Sequence, residues 1–131
     1  MNVTNPTDLR VLLVEDSPII CNLVTRIIND VEGLNVIESV DTEADAIGAV
    51  HRGNVDVVIL DLQLRTGTGF GVLRALRTMT KKPAVVVFTN FPVSTYRDSA
   101  LALGATHFLD KSRDYDRLPG ILTEMAAARG H

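Results

Sequence analysis

With one cysteine in 131 residues, the chain can form no internal disulfide. Cys21 lies in an apolar helical pattern, where the expectation is a buried, unreactive thiol in a reducing compartment. Charge of one sign is not in excess either. The net charge of −3 gives no electrostatic reason to expect direct nucleic-acid binding. No apolar run reaches the roughly 18 residues that a membrane-spanning helix needs, so no membrane association is expected. Met1–Arg10 lacks a basic stretch followed by an apolar one, so no secretion signal is read there and a cytoplasmic location is expected. His51, His107 and His131 have no metal-ligand spacing, and His107 reads as an ordinary strand residue. Linkers, low-complexity tracts and charge runs are missing as well.

What remains is the composition of an ordinary globular domain, 46% hydrophobic and 22% charged, long enough to bury one core. The expectation is a single domain over 1–131 with its core at about 9–126, and frayed ends at Met1–Asp8 and Ala126–His131. Five short apolar runs stand out: Arg10–Val14, Leu34–Val40, Val55–Leu60, Ala84–Phe88 and Thr106–Leu109. Three are β-branched and nearly continuous in apolar character, as in strands of a parallel sheet covered on both faces.

Helical spacing fills the gaps between them. Ser17 is placed to cap a helix whose first turn holds Pro18, with Ile20, Leu23, Val24, Ile27 and Ile28 on its apolar face and Gly33 closing the segment. Thr42 and Asp45 resemble a capping box, and Gly53 ends that helix. Phe70, Leu73 and Leu76 mark a third helix; Tyr96, Ala100 and Leu103 a fourth, stopped by Gly104. Leu118, Ile121, Leu122 and Met125 mark the last, with Pro119 in its first turn. Phe91-Pro92 reads as a helix start. The pattern is strand–helix repeated five times, which implies an open α/β fold with a parallel sheet and right-handed crossovers.

In such sheets ligands bind at the carboxyl ends of the strands. Those ends carry Glu15-Asp16, Asp61, Thr89 and Lys111. Three converging carboxylates repel one another unless a cation or a proton relieves them. Oxygen-only ligands suit Mg²⁺. A carboxylate against such a metal can act as a nucleophile and become an aspartyl phosphate, with Lys and Thr serving the phosphoryl oxygens. Gly67-Thr68-Gly69-Phe70-Gly71 lacks the last spaced glycine of a dinucleotide loop and does not follow the first strand, so it is not read as one.

Five motifs in order carry a resemblance from Val11 to about Met125: Val11-Leu12-Leu13-Val14-Glu15-Asp16, Asp56-Val57-Val58-Ile59-Leu60-Asp61-Leu62, Gly67-Thr68-Gly69, Phe88-Thr89, and Gly104-Ala105-Thr106-His107-Phe108-Leu109-Asp110-Lys111. The chain resembles the receiver family of two-component response regulators. The resemblance implies a flavodoxin-like (βα)5 fold with strand order 2-1-3-4-5. It implies Asp61 as phosphoacceptor, and Glu15, Asp16, Asp61 and the backbone carbonyl of Gln63 around Mg²⁺. It also implies Thr89 as switch hydroxyl, Phe108 as switch aromatic and Lys111 as phosphate-binding lysine. Read from the residues alone, Phe108 also fits an ordinary core aromatic. Arg65 and Ser112 stand where the family often has Pro, the latter often after a cis peptide. Asn90 stands where a small residue often follows the switch Thr.

The implied partners are a sensor histidine kinase or histidine phosphotransfer protein as donor and an output protein of unknown identity. The resemblance implies a monomer or a phosphorylation-dependent dimer, switched at the surface of the fourth helix (about Val93–Leu103), fifth strand and fifth helix. With no output module following, the chain reads as a stand-alone receiver: a phosphorelay intermediate, a partner-regulating switch or the receiver part of a longer regulator. Two other classes compete. A phosphatase resembling the haloacid dehalogenase family would need a second Asp two residues after the nucleophile, where Gln63 stands. A scaffold that binds without phosphorylation would be expected to lack an acidic residue or the acceptor, and all are present. The expectation is therefore a signalling receiver rather than an enzyme.

Overall fold

The computed structural model describes residues 8–90 and 93–129. Five strands, β1 (Leu9–Val14), β2 (Leu34–Val40), β3 (Val57–Leu60), β4 (Ala84–Thr89) and β5 (His107–Asp110), form one parallel sheet in the order 2-1-3-4-5. They alternate with α1 (Pro18–Asn29), α2 (Glu43–His51), α3 (Gly69–Arg77), α4 (Ser94–Ala102) and α5 (Leu118–Arg129), the last preceded by a 3₁₀ turn at Tyr115–Arg117. This is the flavodoxin-like arrangement that the motifs imply.

Side-chain alternation divides the core between the two faces of the sheet. Leu12, Val14, Val58, Leu60, Val85 and Val87 meet Ala46, Ala49 and Val50 of α2, Val72, Leu73 and Leu76 of α3, and Ala100 of α4. On the opposite face Val11, Leu13, Val57, Ile59, Val86, Phe88 and Leu109 meet Val24 and Ile28 of α1 and Leu118, Ile121 and Leu122 of α5. The central strands are apolar on both faces because helices cover both.

The helix ends follow the local signals. Ser17, Thr42 and Thr68 each sit in extended backbone and accept a bond from an N–H three residues on, those of Ile20, Asp45 and Gly71. Pro18 stands in the first turn of α1 and Pro119 in that of α5. Gly33, Gly53 and Gly104 take positive φ after α1, α2 and α4.

Several expectations shift. β3 starts at Val57 rather than Val55, because the Asp56 carboxylate takes the Arg10 N–H at 2.8 Å and its guanidinium at 3.1 Å. β5 runs from His107 to Asp110; Thr106 lies just before it, its hydroxyl accepting the Val85 N–H at 3.2 Å. The expected fraying is too wide. Asp8 accepts a bond from the Asn35 side chain at 2.6 Å, and α5 continues to Arg129 with Ala126 packed on the α1–α5 core. Met1–Thr7, Gly130 and His131 lie outside the described residues, as do Phe91 and Pro92, the expected helix start. Tyr96 does not join the core but stays exposed on α4, where its ring meets Phe70 edge-on at 5.6 Å between centroids. Cys21 is half-buried rather than buried; its Sγ lies 3.6 Å from both the Glu15 carbonyl and the Ser39 hydroxyl. Burial pushes that thiol above its ordinary range, which keeps it protonated.

Two glycines with opposite surroundings test this packing. A Cβ on Gly69 would collide with the Asp61 carbonyl oxygen and lie 2.9 Å from Leu62 Cα, both backbone atoms that cannot swing aside. A Cβ on Gly120, in α5, would meet nothing within 4 Å. Gly69→Ala is therefore expected to cost about 1–3 kcal/mol, whereas Gly120→Ala should gain roughly 0.5–1 kcal/mol from helix propensity. Urea titrations of both variants check this, and equal effects of the same sign would refute the packing argument.

Candidate functional site

Four strand ends and the residues just beyond them build one site. β1 delivers Glu15 and Asp16, β3 delivers Asp61, β4 ends in Thr89, and β5 hands the chain to Lys111. Parallel register brings these ends level: Val14 pairs with Leu60, Leu60 with Val87, and Thr89 with Asp110. Glu15, Asp61, Thr89 and Lys111 are all buried, with Thr89 fully so, whereas Asp16 and Gln63 are exposed.

Lys111 is the hub. Its ammonium lies 2.5 Å from Glu15 Oε1 and 2.9 Å from Asp61 Oδ2, so one cation ties the ends of β1 and β3 to that of β5. The Lys111 N–H bonds the Thr89 carbonyl at 2.9 Å and the Asp61 N–H bonds the Val14 carbonyl at 3.0 Å, which fixes both main chains. Glu15 also accepts the Ser17 N–H at 3.1 Å, and Asp61 Oδ1 accepts that of Gln63 at 3.2 Å. Burial pushes the Glu15 carboxyl up, against the opposing bonds from Lys111 and Ser17. Burial works to lower Lys111, but its bonds to Glu15 and Asp61 outweigh this and hold the ammonium above its ordinary range.

Glu15, Asp16 and Asp61 each bring a carboxylate oxygen within 4.8 Å of the other two. Lys111 offsets one of the three negative charges, leaving a net demand for two positive ones. An all-oxygen set with that charge fits a hard divalent cation.

Phe108 is half-buried against the core shared by α2, α3 and α4, on the face that also holds Val87. Val87 pairs with Phe108, and Thr89, two residues on, pairs with Asp110. Alternation therefore puts Thr89 and Phe108 on the same side of the sheet. Asn90 is exposed after Thr89. Ser112 donates through both its N–H and hydroxyl to Asp110 Oδ1, at 2.9 and 3.0 Å, building the turn after β5. No peptide bond among the described residues is cis, that between Lys111 and Ser112 included.

The loop after Asp61 makes contacts that sequence reasoning did not foresee. Arg65 forks onto Asp41 with bonds of 2.9 and 3.1 Å, and its N–H bonds the Asp41 carbonyl at 3.0 Å. Glu43 donates its N–H to the Thr66 carbonyl at 3.0 Å, and its carboxylate accepts the Thr68 N–H at 2.9 Å. The space for that carboxylate exists because Gly67 and Gly71 have no side chains: a Cβ on either would overlap Glu43. The glycines of Gly67-Thr68-Gly69-Phe70-Gly71 thus admit an acidic side chain and the backbone at Asp61 and Leu62. Their spacing was the only sequence signal of this arrangement, and it does not name Glu43.

Known proteins resemble this chain in sequence and in fold. Residues 11–123 match the response regulator receiver domain family. A protein-glutamate methylesterase/protein-glutamine glutaminase from Myxococcus xanthus is 34% identical over 112 residues, covering 85% of this chain and 32% of that protein. The transcriptional regulatory protein TcrA from Mycobacterium tuberculosis is 35% identical over 113 residues, 84% of this chain and 43% of its own. The chain therefore spans between about a third and under half of these relatives' length. A two-component response regulator of the LuxR family from Aurantimonas sp. SI85-9A1 superposes with a TM-score of 0.83 at 25% identity, covering 93% of this chain and 87% of that one. The Mn(2+)-bound form of response regulator Rcp1 gives 0.75 at 22% identity over 89% of this chain and 91% of that one, a likeness of fold. No helix among the described residues is long and apolar enough to cross a membrane. With the five-stranded order, the acidic cluster and the lysine all in register, the chain belongs to the response regulator receiver domain family.

Proposed function

We propose that the chain is a phosphoacceptor switch in which Asp61 takes a phosphoryl group from a phosphohistidine, on a sensor histidine kinase or a histidine phosphotransfer protein. The observation that carries this is the buried Asp61 carboxylate, bonded to Lys111 and grouped with Glu15 and Asp16 at the carboxyl edge of the sheet. In the transfer, an Asp61 carboxylate oxygen forms a bond to phosphorus as the phosphorus–nitrogen bond breaks, and the electron pair leaves with the imidazole, which then takes up a proton. Lys111 offsets charge on the phosphoryl oxygens, and the Thr89 hydroxyl donates to one of them.

Glu15, Asp16, Asp61 and the backbone carbonyl of Gln63 are the ligands assigned to Mg²⁺, which when bound would offset negative charge between acceptor and incoming phosphoryl group. Support comes from the all-oxygen donor set and the two charges that Lys111 leaves uncompensated. Output would pass through Thr89 and Phe108 to the surface of α4, β5 and α5. Its support is the shared side of the sheet and the thin attachment of α4, of whose residues only Ala100 is buried. An inward Thr89, favoured by a new bond to phosphate, would vacate space that Phe108 can occupy, a shift between populations already sampled.

Asp61→Asn is expected to abolish labelling by acetyl phosphate while leaving the fold intact, as intact-mass measurement and circular dichroism would show. Full labelling of that variant at another residue would remove Asp61 from the role. Mg²⁺ should raise the melting temperature of the wild type by mass action. Asp16→Asn should raise metal-free stability by relieving repulsion and shrink the Mg²⁺-induced shift; an unchanged shift would place the ion elsewhere. Thr89→Ala should still accept the phosphoryl group yet lose most of the beryllofluoride-induced amide shifts in α4 and β5. The wild-type pattern in that variant would break the Thr89–Phe108 coupling.

A further inference from the structure

The loop that carries the acceptor away from β3 does not hang free over the acidic cluster. Its base is closed by the Gly69 N–H bonding the Leu62 carbonyl at 2.9 Å and by an antiparallel bridge between Gln63 and Thr68. Its outer side is laid along the segment that joins β2 to α2. Thr42 and Thr66 form a parallel bridge there, flanked by the Arg65–Asp41 and Glu43–Thr66 backbone bonds. Two side chains lock this short strip at its ends: the Arg65 guanidinium forks onto Asp41, and the Glu43 carboxylate takes the Thr68 N–H. Leu62 and Leu64, between acceptor and strip, are buried in the core.

From this arrangement we infer that Arg65 and Asp41 are positioning residues, a clamp that holds the acceptor loop so that Gln63 stays beside Asp61 and the cation site remains assembled. The inference rests on the functional reading above for the identity of that site. Arg65 stands two residues after Gln63, so the span between clamp and assigned ligand is a single residue, Leu64, anchored in the core. In the neighbouring segment Asp41 lines a recess with Glu15 and Asp16, while both its carboxylate oxygens are taken by Arg65. Arg65 thus does two things at one position: it pins the loop and it takes up the charge of a carboxylate near the site.

These two effects predict opposite signs for one variant, which makes the clamp testable. If Arg65 only neutralised charge, Arg65→Ala would expose Asp41 and tighten Mg²⁺ binding, whereas Asp41→Asn would weaken it. A clamp makes both variants bind Mg²⁺ more weakly, each by up to about fivefold for an exposed pair of this geometry. Arg65→Lys keeps the charge but loses the planar fork, and should fall between Arg65→Ala and the wild type. The exchanged pair, Asp41→Arg with Arg65→Asp, should recover most of the lost affinity.

The experiment titrates each full chain with Mg²⁺ by calorimetry and, separately, follows amide hydrogen exchange over residues 62–69 in metal-free protein. Expected are weaker binding and faster exchange in that loop for both single variants, with melting temperatures close to wild type and recovery in the exchanged pair. Tighter binding by Arg65→Ala, or unchanged loop exchange in both single variants, would overturn the clamp. A wild-type chain that binds no Mg²⁺ would instead overturn the functional reading, and loop exchange would then decide the clamp alone.

Discussion

One buried ammonium organises the working end of this molecule. Carboxylates at the ends of adjacent parallel strands repel each other, and the sheet brings Glu15 and Asp61 together whether or not their charges favour it. Lys111 turns that repulsion into a cross-link between the first, third and fifth strands. Its bonds are short and shielded from water, where a charged pair weighs most and where loss of one partner leaves the other charge stranded. Because one of the three carboxylate charges is already met, the remaining demand suits a divalent rather than a monovalent ion. Fold and site chemistry are thus linked through one side chain.

The two faces of the sheet contribute differently. On the α1–α5 side, long aliphatic side chains of two twelve-residue helices close the core. On the other side α2 contributes two alanines and a valine, and α4 one alanine. The loop after β3, with Leu62 and Leu64, fills part of the space that larger helical side chains would otherwise occupy. The loop that leads away from the acidic cluster is therefore also part of the core.

Much of this was legible in the residues. The strands were visible because helices on both faces demand unbroken β-branched runs, as in Val85-Val86-Val87, and two helix starts because Ser17 and Thr42 supply the oxygens that free N–H groups need; the cap at Thr68 emerged only in the structure. The convergence of Glu15, Asp16, Asp61, Thr89 and Lys111 followed from their places at strand ends. Illegible were the contacts that depend on loops meeting in space. Arg65 was visible only as a departure from a proline, and nothing in its neighbours names Asp41, 24 residues away. Glu43 stands in the first turn of its own helix, yet its carboxylate serves the next one. Tyr96 carried the right spacing for an apolar face, but α4 turns it outward onto Phe70. Spacing identifies a face without saying how deeply the helix will sit.

That shallow seating has a consequence for the lifetime of the protein in a cell. Ala100 is the one fully buried residue of α4 and no side chain caps its start, features of segments that open below the cost of unfolding the whole domain. Proteases cut backbone that has opened, at a rate set by how often it opens. Among the described elements α4 is therefore a natural point of cleavage. Any partner that presses α4 onto the sheet would lengthen the half-life of the chain.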